Sequence, residues 1–477
     1  MRCRVAAASD HPDDAGDDAD ALSGEGPPSH YRKAGWVGAS SNAAGTLAVT
    51  TNPDGTGMND EDVDERVARG SRNEETRQRN LSLMLSSVHS RGALSRADLT
   101  RLSGLNRSTI GALVGELVEL GLVLETEPFA ERRVGRPSPV VQSDPDVVAI
   151  AIIPDAAGLI GAVVGLGGAV RLREMKLTSE VMTPAEAVKV ARDFVARAVE
   201  TLPSTTRISG IGVAVPGIVD ERNKSVMIAP YMRWEDVPFA AMVEEAVGLP
   251  TWLSNDSTLG VIAETRYGAG RGFENVMYFN GSNSGLGGGV VSEGLLMRGS
   301  HGFGMELGHV LLDRDGALCP CGRTGCLETV VNVRRIWKAA GLGFVSLDEL
   351  DALYASGPGA AVEAELDSQA DALAEGIASL ACVFGSELVI LGGHVGSLLE
   401  VRGDRIRAQV AKQSFGPLGR DMAIVRSGLG ERMVPIGAGE LAFGALINDP
   451  AHTPLYPLAE VKASVSRGNR VMSGRRS

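Results

Sequence analysis

The sequence predicts an α/β protein that carries a smaller helical domain in front of it, and three observations support this class. From about residue 146 onward, short apolar segments such as VVAIAII, ISGIGVAVPG and SELVILGG alternate with longer helical patterns, which is typical of an α/β sheet. Between residues 73 and 143 the apolar residues recur instead at helical spacing. A length of 477 residues is too great for one ordinary domain, so two to four domains are expected.

The bulk composition excludes several classes of protein. A formal net charge of −13 argues against general nucleic-acid affinity for the whole molecule, although a local basic surface remains compatible with it. The longest apolar runs are too short to span a bilayer, and the N-terminus has no apolar core of a signal peptide, so no membrane partner is expected. With five cysteines, three of them clustered, no disulfide framework is expected, and we predict a cytoplasmic protein.

Composition also divides the chain. Residues 1–70 are rich in Asp, Gly, Ser, Ala and Pro, which predicts a disordered acidic tail. Residues 451–477 end in SRGNRVMSGRRS and are predicted to form a second tail, basic and flexible. Between the tails, residues 71–143 form the expected helical domain and residues 146–450 the expected α/β domain.

The helical domain has the element order of a winged helix-turn-helix. A first helix ends before Gly92, Ser95 with Asp98 begins a short second helix in a capping-box pattern, and Asn106 caps a third helix that stops at Gly121. The segment LVLET and the segment PVVQ then read as two strands that flank PFAERRVGRPS, the predicted wing. This order is typical of a DNA-binding fold in which the third helix enters the major groove.

The polar residues expected to contact DNA lie at the start of the third helix and in the wing. Asn and Arg can make bidentate contacts with base edges, and arginines on a thin hairpin can bind phosphate or enter a minor groove. The alternative is a small helical bundle with solvated polar residues that binds another protein. The predicted DNA-binding residues are Asn106, Arg107, Ser108, Thr109, Arg132, Arg133 and Arg136.

A second feature is the concentration of cysteine and histidine in residues 309–328. His309, Cys319, Cys321 and Cys326 form the pattern H-x9-C-x-C-x4-C. Three thiolates and one imidazole match a closed tetrahedral zinc site. Four protein ligands leave no open coordination position, so the predicted Zn²⁺ is structural and not catalytic. The alternative is a tight loop of buried free cysteines.

The same loop carries carboxylates. Glu306 lies three residues before His309, and Glu328 lies just after the last cysteine. A zinc-bound imidazole keeps one nitrogen free to donate a hydrogen bond, and paired carboxylates accept hydrogen bonds from vicinal hydroxyl groups. The loop therefore predicts a sugar site.

At these residues the chain resembles the ROK family of repressors, open reading frames and kinases, over roughly residues 75 to 450. The segment GFGMELGHV is similar to the family's glycine-rich segment, which ends in Glu-Ile-Gly-His, and CPCGRTGCLE is similar to its cysteine signature. The segments SGIGVAVPGIVD, SNDSTLGVIAETRYGAGRG and SGLGGGVV follow the family's patterns in the family's order. The cysteine signature is the most specific of these, because glycine motifs alone are common.

The resemblance implies a fold and a set of site residues. The implied fold is the two-lobed sugar-kinase, actin-like (ribonuclease H-like) α/β architecture, with the ligand in the cleft between the lobes. It also implies that Asp256 would act as general base in a kinase, taking a proton from the hydroxyl that attacks the γ-phosphate. The implied sugar-binding residues are Asn255, Asp256, Glu306, His309 and Glu328.

The nucleotide side departs from the family pattern. An Asp-x-Gly-Gly-Thr turn cradles ATP phosphates in the family's kinases, and a phosphate cradle needs glycines for close approach of backbone N–H groups. Asp155 would also place a negative charge beside a polyanion. The departures are Ile153 for the aspartate, Asp155 and Ala156 for the glycines, Ala157 for the threonine, Asn283 and Ser284 for a Gly-Thr pair, and His394 for a glycine.

An intact sugar side with an altered nucleotide side predicts a sugar-responsive transcriptional regulator, a repressor without phosphoryl transfer. Its expected partners are palindromic operator DNA, a sugar or sugar-phosphate effector, and copies of itself in a homodimer or homotetramer. It would associate with the nucleoid when bound to DNA, and sugar-induced release is the expected response. Two alternatives remain: a sugar kinase with a fused DNA-binding domain, and a non-enzymatic scaffold with an empty cleft.

Overall fold

A computed structural model describes residues 60–127 and 138–474 of the chain, with side chains from residue 73 to residue 466. Within this part of the chain, no helix is both long enough and apolar enough to cross a membrane. The helices are α1 (Asp60–Arg91), α2 (Arg96–Ser103), α3 (Arg107–Glu119), α4 (Pro184–Thr201), α5 (Phe239–Val247), α6 (Asp256–Tyr267), α7 (Val333–Ala340), α8 (Leu347–Ala355), α9 (Ala360–Phe384), α10 (His394–Gln413), α11 (Met433–Asn448) and α12 (Leu458–Gly474).

The strands form four sheets. The first has the order β1-β3-β2 and belongs to the helical domain, and a second small sheet has the order β10-β9-β8. The strands are β1 (Leu94–Ser95), β2 (Val123–Thr126), β3 (Val140–Ser143), β4 (Val147–Asp155), β5 (Gly158–Gly165), β6 (Val170–Leu177), β7 (Arg207–Val215), β8 (Ile218–Asp220), β9 (Ser225–Ala229), β10 (Trp234–Val237), β11 (Thr251–Asn255), β12 (Val276–Ser282), β13 (Gly285–Ser292), β14 (Leu295–Leu296), β15 (Leu388–Gly393), β16 (Ala423–Arg426) and β17 (Tyr456–Pro457).

The two large sheets repeat one topology. The first has the order β11-β7-β4-β5-β6, with β17 added beside β7, and the second has the order β14-β13-β12-β15-β16. In each sheet, the first three strands along the chain pair with one another antiparallel. The next two strands lie on the other side of the first strand and pair parallel to it and to each other. Two sheets of identical strand order make the two lobes expected from the sequence, so the predicted fold class is confirmed.

The helical domain forms as its sequence signals require. Ser95 and Asp98 make the capping box at the start of α2, and Gly104 ends that helix with a φ of 70°, a left-handed conformation that favours glycine. The α3 helix begins after Asn106 and buries Ile110, Leu113, Val114 and Leu117 on one face. The strands β2 and β3 pair antiparallel after it.

This domain packs directly against the first lobe. One apolar cluster contains buried residues of α1 such as Leu85 and Val88, the β4 residues Val147 and Ala149, and Phe443 of α11. Arg207 at the start of β7 donates hydrogen bonds to the carbonyls of Leu120 and Gly121, at the end of α3. The apolar core is therefore continuous from the helical domain into the lobe, and a movement of the lobe can be transmitted without a flexible linker.

The C-terminal segment differs from the expectation. Residues 451–477 were expected to be a basic flexible tail, but Leu458–Gly474 is the helix α12, and Leu458, Val461 and Val465 are buried in the core of the first lobe. The sequence hid this helix because only a few apolar residues at helical spacing lie among Ser, Gly and Arg. At the other end, α1 already begins at Asp60 within the expected acidic tail, whereas residues 1–59 lie outside the described part of the chain.

Candidate functional site

One pocket brings together all the residues expected to bind a sugar. It lies in the cleft between the lobes, and its first-lobe wall contains Pro216 and Gly217 from the end of β7. Its other walls come from Pro230 and Tyr231, the β11–α6 junction, the β12–β13 hairpin and the segment from Glu306 to Glu328. The predicted residues that line it are Asn255, Asp256, Glu306, His309 and Glu328.

The junction of β11 and α6 places the first two of these residues. The side-chain oxygen of Asn255 caps α6 by accepting hydrogen bonds from the Ser257 and Thr258 amides at 2.9 and 3.0 Å. Its side-chain nitrogen donates to the Gly217 carbonyl at 2.9 Å. Asn255 therefore holds the strand–helix junction, and this leaves Asp256, the first residue of α6, as the carboxylate that faces the pocket.

Three carboxyl groups converge on the pocket, and burial, reinforced by neighbouring negative charges, raises the pKa of two of them. Burial raises the pKa of Asp256 to about 6, and the negative charge of Asp155 adds to the effect. Burial likewise raises the pKa of Glu306 to about 7, with further contributions from Asp256 and Glu328. Such carboxyl groups gain from hydroxyl donors that replace the lost water, which suits a polyhydroxylated ligand.

A 3-10 turn at Leu307–His309 sets Glu306 and His309 side by side, with the His309 amide donating to the Glu306 carbonyl at 3.0 Å. The turn packs so closely on β13 that a Cβ atom at Gly308 would lie 1.8 Å from the Leu286 carbonyl oxygen. Glycine is therefore required at this position. The close approach fixes both pocket residues relative to the second lobe.

The four predicted metal ligands form one cluster. Their ligand atoms all lie within 4.8 Å of one another, with 3.6 Å between Cys319 Sγ and His309 Nδ1 and 3.7 Å between Cys321 Sγ and Cys326 Sγ. A tetrahedron with Zn–S bonds of about 2.3 Å has edges of about 3.8 Å. The donor set and its spacing therefore fit a tetrahedral cation. Because His309 presents Nδ1 to the cluster, its Nε2 remains available to the pocket.

Glu328 joins the cluster to the sugar pocket. The Cys319 thiol donates to Glu328 Oε1 at 2.8 Å, and the Leu286 amide donates to Glu328 Oε2 at 3.3 Å. Burial and the contact with Glu328 raise the pKa of the Cys319 thiol well above its usual value. A bound cation reverses this preference, because thiolates and not thiols are metal ligands.

Sequence reasoning missed several residues of the pocket. Tyr231 lies in its wall, where burial and the charge of Glu328 raise the pKa of Tyr231 to about 12, and the Arg334 guanidinium lies 4.9 Å from the centre of its ring. Ser282 and Pro320 also line the pocket. Tyr231 follows a short β-hairpin without any motif of its own, so no local signal could have identified it.

On the side of the cleft where the sequence departs from the family's nucleotide motifs, Asp155 makes hydrogen bonds within the chain. Ser284 Oγ donates to Asp155 Oδ2 at 3.0 Å, which links the turn after β4 to the turn after β12. Asp155 also accepts from the Ala157 amide at 3.0 Å, so a carboxylate stands in the turn where the family's kinases have their phosphate cradle. Ile153 is buried. The altered turns are thus filled by polar contacts of the chain itself.

Comparison with known proteins identifies the family. The ROK family profile matches residues 160–444, more than half of the chain. The chain belongs to the ROK family.

Two kinds of relative carry this ROK domain. The xylose repressor of Caldicellulosiruptor bescii is 25% identical over 79% of this chain and 98% of its own length, and a glucokinase of Streptomyces coelicolor is 30% identical over 56% and 89%. A crystal structure of a ROK family transcriptional regulator, a homologue of the E. coli MLC protein, has a TM-score of 0.63 over 82% of this chain and 99% of its own, at 24% identity. A ROK glucokinase from Streptomyces griseus, with glucose and AMPPNP, has a TM-score of 0.55 at 27% identity over 62% and 99%.

In the helical domain that precedes the ROK lobes, the expected DNA-binding residues divide into two groups. Asn106 uses its side-chain oxygen as the cap of α3, accepting from the Thr109 amide at 2.9 Å and the Ser108 hydroxyl at 2.7 Å. Arg107 and Ser108 are exposed at the start of that helix, and Thr109 is half-buried. The wing arginines Arg132, Arg133 and Arg136 lie outside the described residues.

Proposed function

We propose that this ROK protein is a sugar-responsive, DNA-binding transcriptional repressor whose cleft recognises a sugar without phosphorylating it. One observation supports the proposal: one pocket collects all five residues expected to bind a sugar, in a cleft where Asp155 stands in the turn of the family's phosphate cradle. A helix-turn-helix is packed onto the same lobe. The similarity of the chain to xylose repressors along nearly their whole length supports the regulatory role.

The proposed site would bind the hydroxyl groups of a sugar through several hydrogen-bond acceptors and one hydrogen-bond donor. Asp256, Glu306 and Glu328 offer carboxylate oxygens to hydroxyl groups, and the Nε2 atom of His309 donates. Zn²⁺ bound by His309 and the three cysteines would have a structural role, because all four of its coordination positions would be filled by the protein. It would fix the orientation of the His309 ring and the position of Glu328, which Cys319 contacts.

The absence of phosphoryl transfer follows from electrostatics. A triphosphate would have to place its terminal charge beside Asp155, which already raises the pKa of Asp256 through repulsion. Neither backbone glycines nor the threonine hydroxyl of the family's turn is present at 155–157 to stabilise that charge.

A second candidate function is a sugar kinase with a fused DNA-binding domain. The observation that favours it is the position of Asp256 together with its pKa of about 6, which suits a general base at neutral pH. ATP-dependent phosphorylation of xylose, glucose or N-acetylglucosamine at about 1–100 s⁻¹ would establish the kinase and contradict the repressor proposal.

Two copies of the chain would read a palindromic operator with the exposed start of α3 and with the wing. The test selects operator duplexes from a random library with the full-length protein and then titrates the complex with xylose, glucose, N-acetylglucosamine and glucose 6-phosphate, with and without ATP. We expect one of these sugars to release the operator without consuming ATP. If operator affinity is unchanged by every sugar that binds the protein, the proposal is wrong.

Replacing Asp256 with asparagine is expected to weaken sugar binding about 10- to 100-fold. A hydrogen bond to a charged group contributes about 1.5–3 kcal/mol, and the amide keeps the size of the side chain while losing the charge and one acceptor. Isothermal titration calorimetry with the releasing sugar measures the change. Asp421→Asn, at an exposed carboxylate outside the cleft, is the matched control, and equal affinities for the two variants would exclude Asp256 from the sugar site.

A continuous set of contacts offers a route from this pocket to the DNA-binding domain. Asp256 starts α6 and Tyr267 ends it. The Tyr267 hydroxyl lies 2.8 Å from His89 Nε2, near the end of α1, and 2.8 Å from Glu440 Oε1 on α11. The Gly167 amide donates to His89 Nδ1 at 2.9 Å, which assigns the ring hydrogen to Nε2. A rigid helix thus has the sugar carboxylate at one end and the helix-turn-helix at the other.

Replacing Tyr267 with phenylalanine is expected to leave sugar affinity unchanged and to reduce the sugar-induced change in operator affinity about fivefold. The change removes the Tyr267 hydroxyl, which contacts Glu440 on α11 and His89 on α1. The lost contact with α1 is worth about 1 kcal/mol. Fluorescence anisotropy of a labelled operator at increasing sugar concentration measures the coupling. The control is Tyr354→Phe, because the hydroxyl of Tyr354 is buried and finds no hydrogen-bond partner among the residues that the structure describes. Full coupling in Tyr267→Phe would contradict this route.

A further inference from the structure

The cleft contains a second chamber beside the sugar pocket. It has a volume of about 570 Å³ and meets the sugar pocket at Asp256 and Ser282, which line both. This volume lies within the range of about 300–1,000 Å³ that small-molecule sites usually have. The first lobe supplies one wall from β5 and β6, and the second lobe supplies the other from α7, α8 and the segment between them.

The walls of this chamber are mainly apolar. Aliphatic and sulfur-containing side chains face it from the first lobe, and two aromatic rings face it from the second lobe. The two rings lie at 71° to each other with their centres 5.8 Å apart, an edge-to-face arrangement. The apolar lining includes Ile160, Met175, Leu177, Trp337, Phe344 and Leu350.

Hydrogen-bonding atoms without partners lie among these apolar groups. Trp337 Nε1, Arg173 Nε and both ring nitrogens of His394 are buried and have no hydrogen-bond partner within the described part of the chain. The His394 ring is 1% exposed and lies against the Gly281 backbone without a well-formed hydrogen bond. A buried donor without a partner costs about 1–3 kcal/mol. A ligand that supplies acceptors in this chamber would recover part of that cost.

The charges around the chamber select against anions. Asp155 and Asp256 stand where it meets the sugar pocket, and the only arginine of its lining, Arg173, is already paired with Glu431 at 3.0 Å. Burial lowers the pKa of His394 to about 4, so its ring is neutral at neutral pH. A polyphosphate would therefore meet carboxylates, whereas an uncharged ring would meet mainly apolar walls. The described lining residues include no unpaired cation, and their carboxylates belong to Asp155, Asp256, Glu349 and Glu431.

We propose that this chamber is a second ligand site, which binds an uncharged aromatic or alicyclic group that carries a hydrogen-bond acceptor. The group is supplied either as a substituent on the sugar effector or as a separate small molecule. The ring packs between Met175 and Phe344, and its acceptor reaches the buried nitrogen of Trp337 or of the His394 ring once that side chain turns towards the chamber. The chamber lies outside the proposed sugar pocket, so its occupancy can be measured without sugar or operator.

The test uses the full chain and the uncharged dye N-phenyl-1-naphthylamine, whose fluorescence rises in apolar surroundings. We expect saturable binding of one dye per chain, weakened at least about tenfold by Phe344→Glu and by Met175→Glu, which place a charge on opposite walls. Both side chains are partly exposed, at 41% and 38%, so the variants are expected to fold. The matched controls Phe415→Glu and Leu295→Glu change exposed apolar residues outside the chamber and should bind the dye like the original chain.

Competition between the dye and uncharged aromatic compounds shows whether the ring that binds in the chamber belongs to a substituted sugar or to a separate molecule. Displacement of the dye by phenyl β-D-glucoside or phenyl β-D-xyloside at lower concentration than by phenol with free sugar indicates a substituted sugar, and displacement by phenol alone indicates a separate molecule. Either outcome supports the proposal. It is overturned if both wall variants bind the dye like their controls, or if ATP displaces the dye at lower concentration than the uncharged compounds. Dye binding is scored without sugar or DNA, so a failed sugar response does not affect this test.

Discussion

Replacing Cys321 with serine is expected to lower zinc affinity by at least about 100-fold and to weaken sugar binding, while DNA binding by the helix-turn-helix persists. Loss of a residue that only supports a metal ligand costs about 10- to 100-fold in metal affinity, so loss of a direct ligand should cost at least the upper value. Sugar binding weakens because the loop that carries His309 and Glu328 loses its cross-link. Metal content by mass spectrometry and sugar affinity by calorimetry measure the two effects.

Cys321 is preferred to its neighbours for this experiment. Cys319 also bonds to Glu328, so its replacement would alter the sugar pocket directly, and Cys326 is fully buried. Cys382 is an exposed free cysteine on α9, outside the cluster, and Cys382→Ser is the matched control with normal zinc content and sugar affinity. If the Cys321→Ser protein lacks zinc but binds the sugar as tightly as the control, the structural role of the metal is refuted.

Replacing Glu440 with alanine is expected to reduce the free energy of unfolding by about 3 kcal/mol. Glu440 is buried and contacts His89 at 2.8 Å, Tyr267 at 2.8 Å and Arg266. Breaking a buried ion pair from one side costs about 3–5 kcal/mol, because the remaining partners stay desolvated. The lower end applies because the Arg266 side chain is 34% exposed and can recover some hydration. Urea unfolding monitored by circular dichroism gives the value.

An exposed ion pair provides the control for Glu440→Ala. Asp371 and Arg405 are paired at 2.7 Å on the surface, with side chains 43% and 41% exposed. Exposed pairs contribute only about 0–1 kcal/mol, so Asp371→Ala should change stability little. A loss of stability in Glu440→Ala no larger than in Asp371→Ala would show that the buried cluster does not stabilise the junction between the helical domain and the lobe.

The same carboxylate predicts a pH dependence. Burial raises the pKa of Glu440, but its contacts with His89, Arg266 and Tyr267 outweigh burial and hold the pKa at about 2, below the ordinary value of 4.5. A carboxyl group with a lowered pKa stabilises the fold above its ordinary pKa, and this stabilisation is lost as pH falls through the folded value. The stability difference between the original chain and Glu440→Gln should therefore be constant above about pH 4.5 and shrink towards pH 2.

Several parts of the fold were predictable because their causes are local. The capping box at Ser95 and Asp98, the Asn106 cap and the turn glycines act within a few residues of their position, so they can be identified in the sequence itself. The clustered cysteines predicted a metal site for the same reason, since the ligands Cys319, Cys321 and Cys326 come from one short loop. The residues expected to bind a sugar could not all be identified from their spacing in the sequence. Asn255 and Asp256 were identified only through the resemblance to the ROK family.

The sequence by itself thus determined the α/β class, the helix-turn-helix and the composition of the metal cluster, which depend on periodicity, caps and short-range spacing. Only the tertiary structure decided which distant groups meet. It placed His89 beside Glu440, 351 positions later in the chain, added Tyr231 to the sugar pocket, and packed α12 into a lobe where a free tail was expected. It also formed an apolar chamber beside the turns whose sequence departs from the family's nucleotide motifs. Such contacts arise when two lobes close around one cleft, and their partners carry no mutual signal along the chain.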